Sequence, residues 1–225
     1  MSAPHKVQTR PQPSQRGQTN HNPQRRPRIV AFATVGTVVS AVVAVLLGLI
    51  RPGYSFVADP VVALMAGPNA WAQDVNFVVL GASVIAAAIG LHLGVRPSRW
   101  GALGPALLAL SGVGPVLAGV TAPVPVHFAI TFLSAGIGLI VLARRMAHDQ
   151  RWNGFAGYAL ATGVAILVAI PIHSVLALPE GAPLHPWWGL LNWSALALWV
   201  TCTAVLAGRL LHVTRTVDTV DGHGT

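Results

Sequence analysis

Six apolar stretches of about 17 to 25 residues run through this chain, and their length constrains the fold more than any other feature. At about 1.5 Å per residue, a helix of that length crosses a hydrocarbon core about 30 Å thick. Backbone polar groups in hydrocarbon must be paired internally, so only helices or a closed barrel can span it. The stretches do not alternate polar and apolar residues, which removes the barrel. The expected fold class is an all-α integral membrane protein, a six-transmembrane-helix bundle. Its spans fall at about 29–50, 73–95, 102–120, 127–143, 155–176 and 187–211. They make up a membrane domain, 29–213, between a basic tail, 1–28, and a short polar tail, 214–225.

Composition agrees. Apolar residues make up 53% and charged residues 9%, where a soluble domain carries about 25% charged residues. Of the 14 Lys and Arg residues, all but Arg51 lie on the side of the tails and alternate loops. Short loops rich in Arg stay in the cytoplasm, so the N-terminus and C-terminus are both expected there. Arg usage far above Lys usage, with abundant Ala, Gly and Pro, suggests a GC-rich bacterial genome and hence a bacterial inner membrane. The net charge of +8 is dispersed, which favours anionic lipid headgroups at the cytoplasmic loops as partners, with no nucleic acid. The first 28 residues have no acid and little apolar content, and are expected to be disordered. The stretch after them exceeds a signal-peptide core and lacks a clean cleavage site, so it reads as a retained helix. Cys202 has no cysteine partner and reads as a packing residue.

Local signals sharpen the picture. Trp71, Trp100, Trp152, Trp187 and Trp188 fall at expected helix ends, as an interfacial aromatic belt would. Gly112, Gly114 and Pro115 predict a kink in the third span, and Pro171 a bend in the fifth. Gly90 with Gly94, Ser134 with Gly138, and Gly157 with Ala161 have the spacing that lets helices approach closely. A second copy in a homo-oligomer is an open alternative among the partners.

Residues capable of chemistry gather at the outer ends: Asp59, Asp74, Asn76, His127, His173, Glu180 and His185. His127 stands about 24 Å above the inner end of its span and His173 about 27 Å. A short loop joins these two spans, so the imidazoles share a level, near Asp74 and Asn76. The expected site is an outward-facing polar pocket for a lipid headgroup or an envelope metabolite. Two alternatives use the same residues. One is a membrane hydrolase whose zinc is held by His127, His173 and Asp74. The other is a haem-bearing electron carrier, with His92 and His212 as the inner pair and His127 and His173 as the outer pair. A plainer reading makes Asp74 a helix N-cap, has the outer histidines satisfy loop carbonyls, and lets His212 cap a helix C-terminus.

No phosphate loop, dinucleotide fingerprint, nucleophile elbow or paired catalytic carboxylates occur. No span carries a mid-bilayer charge, which argues against a proton-coupled pump or an ion channel. The balance favours a protein that is not an enzyme. No cofactor is predicted, zinc and haem remaining the alternatives above.

Three segments carry a family resemblance: RPGYSFVADPVVALMAGPNAWAQDVNFVVLGA, VHFAITFLSAGIGLIVLARRM and RWNGFAGYALATG. Together they resemble the bacterial family catalogued as domain of unknown function 998, over about Ile29 to Val213. The resemblance implies a six-helix membrane architecture with no established activity. Tyr54, Ser55 and His127 match the family pattern, which adds Tyr54 and Ser55 to the candidate pocket. Ala58 and its apolar neighbours stand where the family often has serines, which weakens a reactive role for this loop.

Overall fold

The structure is a computed structural model that describes residues 25–96, 101–121 and 125–221, with side chains from 28 to 213 within those ranges. It contains α1 (Arg25–Ile50), α2 (Ala70–Gly94), α3 (Leu103–Val120), α4 (Pro125–Met146), α5 (Phe155–Pro171) and α6 (Trp188–Asp221). Short helical turns interrupt the loops, and there is no strand among the described residues. Each of the six helices is long and apolar enough to cross a membrane, with α5 continuing to Ala177. α1 begins at Arg25 and α6 runs to Asp221, so helix reaches into both segments read from sequence as tails. Residues 1–24, most of the expected disordered tail, lie outside the described residues, as does Trp100.

Consecutive helices from α1 to α5 pack on one another in order, and α6 closes the bundle against α1, α2 and α5. Glycine sets the closeness of these contacts. A Cβ on Gly112 of α3 would sit 2.6 Å from the Gly81 carbonyl of α2, and one on Gly163 of α5 would sit 2.7 Å from the Gly136 carbonyl of α4. Lipid tails are as apolar as leucine, so helices in a bilayer associate through such close packing. Gly90 and Gly94 both receive Leu210 of α6. Gly157 faces open space, so its pairing with Ala161 is a chance spacing and not a seam.

Arg96, Arg145, Arg151 and Arg209 lie together at one end of the bundle. The loops at 51–69 and 178–187, with the end of α3 and the start of α4, lie at the other. At the Arg-rich end, Arg145 is only 7% exposed. Its Nε donates to the Arg96 carbonyl at 2.7 Å and its Nη2 to the His92 carbonyl at 3.1 Å. It also donates to the carbonyls of Val95 and Gly101. The last carbonyls of a helix have no intrahelical donor; here a guanidinium from α4 supplies one to the end of α2.

Asp149 completes the arrangement. Its carboxylate accepts the Arg96 N–H at 3.3 Å and the Arg151 guanidinium at 2.7 and 3.0 Å. Arg151 also donates to the Gly94 carbonyl at 3.4 Å, and Arg209 of α6 donates to the Arg151 carbonyl at 2.8 Å while stacking over Phe155. Arg96 is thereby held by both its C=O and its N–H. Trp152 is fully buried beneath this cluster, which corrects its assignment to an aromatic belt. Trp71 and Trp187 are exposed as a belt requires. His212 lies within α6, whose helix continues to Asp221, so it caps no C-terminus.

Adjacent arginines provide an internal control, because Arg144 is exposed and Arg145 is buried. Arg145→Ala is expected to lower stability by about 3 kcal/mol through unpaired carbonyls, and Arg144→Ala by about 0.5 kcal/mol or less, measured by thermal unfolding in detergent. Hydrogen bonds from Arg151 draw the Asp149 carboxyl down to about 2; burial opposes them, and backbone N–H groups of Arg96 and Arg151 assist. The folded value lies below the usual carboxylate value, so the stabilisation is complete above about pH 4 and fades as the pH falls toward about 2. The stability gap between the wild type and Asp149→Asn, about 2 kcal/mol near neutral pH, should therefore close over that acid window.

Candidate ligand cavity

At the end opposite the arginines the helices separate around a cavity of about 500 Å³. Such a volume falls in the usual range for small-molecule sites, about 300–1,000 Å³. The walls are mostly apolar. From Trp188 to Trp199 on α6 the cavity descends about 16 Å toward the middle of the bundle. Pro60, Val61 and Val62, from the loop between α1 and α2, form part of its lining.

Proline shapes one wall. Pro171 has no N–H to donate, so the regular helix of α5 stops there. A π-helical turn, Ile172–Ala177, follows, and the Leu178 N–H bonds the His173 carbonyl five residues back at 2.8 Å. Regular helix thus breaks at Pro171, and His173 and Ser174 of the π-turn lie on the cavity lining. π-turns of this kind recur at functional sites. On α3, Gly114 and Pro115 also line the cavity. A side chain at Gly114 would collide with Thr131 and the His127 carbonyl of α4.

His173 is held on two sides. Its ring stacks on Phe128 with centroids 4.7 Å apart, and its Nε2 accepts the Trp188 indole N–H at 2.8 Å. An indole N–H can only donate, so Nε2 carries the lone pair and the neutral ring bears its proton on Nδ1. Protonated imidazolium would set two donors against each other. From His173, rings continue down the wall through Phe128, Phe132 and Trp199, with centroid spacings of 4.7, 4.5 and 6.1 Å.

The candidate residues divide. His127 and His173 both line the cavity. Tyr54 and Ser55 shape the neighbouring loop and do not line it. The Tyr54 hydroxyl faces the carbonyls of Asp59 and Pro60 at 3.1 Å each and accepts the Trp193 indole N–H at 2.9 Å. Burial pushes the Tyr54 hydroxyl up to about 12, so it remains a donor at any ordinary pH. The Ser55 N–H donates to the Asp59 carboxylate at 2.8 Å. Asn76 is buried toward α1, donating to the Ser40 carbonyl at 3.1 Å and to Gln73 at 3.3 Å. Asp74 does not line the cavity, nor is it an N-cap, because α2 starts at Ala70 with Asn69 in the cap position.

Asp74, His127 and His173 are therefore not brought together as a three-ligand set. Among the described residues, no group of three His, Cys, Asp or Glu is placed to hold a metal ion. The Nε2 lone pair that His173 would offer to zinc or haem iron is engaged by Trp188.

Sequence reasoning passes over Asn192. Its Oδ1 accepts the Val61 N–H at 3.0 Å, which fixes the side chain at the cavity wall and leaves the Nδ2 amide as a donor there. A polar residue inside an apolar span, between Leu191 and Trp193, is itself a functional signal.

Fold and site together define a six-helix membrane protein with a deep apolar cavity that carries a few polar groups. The family model described as "Protein of unknown function (DUF998)" matches residues 34–209, and the chain belongs to that family. No curated protein and no solved structure matches it.

The His173–Trp188 bond can be isolated by a double-mutant cycle. Trp188→Phe and His173→Phe should each cost stability, with a coupling of about 1 kcal/mol in thermal unfolding. Additive effects would show that the bond contributes nothing.

Proposed function

We propose that the chain is a multi-pass protein of a bacterial inner membrane, with both termini cytoplasmic, that binds a lipid or envelope metabolite in an outward-facing cavity. The cavity itself carries this reading: about 500 Å³, apolar along its depth, with His127, His173, Ser174 and Asn192 as polar groups on its lining. Ligand sites combine an apolar body with a few fixed polar groups in this way. The ligand is accordingly amphipathic. Its apolar part lies against Phe77, Leu80, Leu196 and Trp199, and its polar part meets the histidines and the Asn192 amide.

The orientation rests on the Arg distribution. A cavity opposite the Arg-rich loops faces away from the cytoplasm if those loops are retained inside. The reading is of binding and not of catalysis, since the polar groups include no activated nucleophile and no paired carboxylates.

Extraction of small molecules from the purified chain, followed by mass spectrometry, tests the proposal. The wild type should carry a stoichiometric amphipathic compound. Leu196→Trp, which fills the cavity, should reduce its amount about tenfold, the effect of losing about 1.4 kcal/mol of binding. His127→Ala should weaken retention while leaving the fold intact. Folded variants that carry the same compound in the same amount as the wild type would end the proposal.

A further inference from the structure

Arg51 is the arginine that the topology does not explain, and the structure gives it a setting of its own. It follows α1 directly, at the end of the bundle away from the other arginines. One guanidinium nitrogen, Nη1, donates to the Ala63 carbonyl at 2.5 Å. Asp59, the acid nearest in sequence, is committed to the Ser55 N–H at 2.8 Å. The salt bridge found among the described residues, Arg151–Asp149, is at the opposite end. Among the described residues Arg51 therefore has a carbonyl partner and no carboxylate in ion-pair contact.

Arg51 lines a second pocket, of about 240 Å³, separate from the large cavity. Leu47, Ile50 and Leu64 give it apolar walls, and Pro68 and Asn69, just before α2, complete its rim. Asn69 has a left-handed backbone, φ 64°, and makes no side-chain cap to α2, so its amide side chain is not spent on the helix. The apolar wall does not stop at the pocket. Ile50 is 65% exposed, and Leu46 and Leu49 beside it are also exposed, so the pocket runs into the face that α1 turns toward lipid.

A guanidinium in no ion pair among the described residues, at a helix end beside an apolar groove, matches a molecule with an anionic phosphate at one end and an acyl chain at the other. Arginine presents several donors in a planar fork that suits phosphate oxygens. We propose that Arg51 and its pocket bind the phosphodiester headgroup of an anionic phospholipid, with an acyl chain laid along Leu47 and Ile50. This site is separate from the large cavity, and its residues are not among those expected to hold the amphipathic ligand there.

The test uses the full chain in nanodiscs of phosphatidylcholine containing a minor fraction of phosphatidylglycerol, with retained lipid counted by native mass spectrometry. The wild type should retain phosphatidylglycerol preferentially. Arg51→Gln should lose about tenfold of that preference, as expected for one charge-assisted contact, and Arg51→Lys should keep part of it. Because Arg51 also holds the Ala63 carbonyl, Leu47→Trp gives a second route: it fills the pocket and leaves the guanidinium in place. Loss of the preference in both Arg51→Gln and Leu47→Trp, with unchanged melting in pure phosphatidylcholine, supports the site. An unchanged preference in Arg51→Gln overturns it. Inorganic phosphate that displaces no lipid supports a headgroup as the source. Arg51-dependent stabilisation by inorganic phosphate in lipid-free detergent, with no preference among lipids, overturns the lipid assignment in favour of a free anion.

Discussion

The guanidinium of Arg145 against the end of α2 is the contact on which the arrangement of the bundle depends. A helix in a membrane satisfies its own backbone except at its ends. Water serves those groups at an exposed end, but the end of α2 is packed under the loop that follows α4. Arg145 brings charge-assisted donors to the carbonyls of His92, Val95, Arg96 and Gly101, and Asp149 takes the Arg96 N–H. The α2–α4 relationship is thereby fixed at one end of the bundle. Both helices contribute walls to the cavity at the other end, so its geometry inherits that constraint. Packing alone would leave the helices freer to slide, since apolar contact has little direction.

The two ends of the molecule are built on different principles. Toward the arginines, large side chains such as Trp152, Leu142 and Met146 are fully buried. Toward the opposite end, proline and a π-turn take α5 out of regular helix, and aromatic rings line space rather than filling it. An apolar void forfeits dispersion contacts along its lining, so an unfilled cavity of this size is a cost to the fold. A ligand that restores those contacts offsets the cost. The tightly tied Arg-rich end is what allows the other end to stay open.

Much of the architecture is legible in the sequence, because span length and apolar content are summed over some twenty residues and tolerate local errors. The site is legible only in part, for a geometric reason. Rise along a helix gives height, and height alone puts His127 and His173 at a similar level. Direction around the helix depends on rotation of about 100° per residue, so an error of one or two residues in the start turns a side chain to another face. Asn76 and Asp74 illustrate it. Both enter α2 at the right level, yet Asn76 faces α1, and neither lines the cavity. The basic residues mislead in another way. Arg145, Arg151 and Arg209 carry the topology signal, and the same side chains are spent on carbonyls within the fold. A count of charges per loop cannot separate the exposed Arg144 from the buried Arg145.

The loop between α1 and α2 shows how a segment with little regular structure acquires a fixed shape. The Tyr54 hydroxyl engages the carbonyls of Asp59 and Pro60, Asn192 accepts the Val61 N–H, and Arg51 donates to the Ala63 carbonyl. Three side chains from different positions thus hold the backbone at four points between Asp59 and Ala63. The short helical turn that results, Val61–Met65, faces two ways: Val61 and Val62 line the large cavity, and Leu64 lines the pocket of Arg51. A single turn of chain is therefore a wall shared by both spaces. Removing Arg51 would release one of the three ties, at the position next to Leu64. Its presence on the side of the bundle where arginine is otherwise absent thus has a role within the fold, before any ligand is considered.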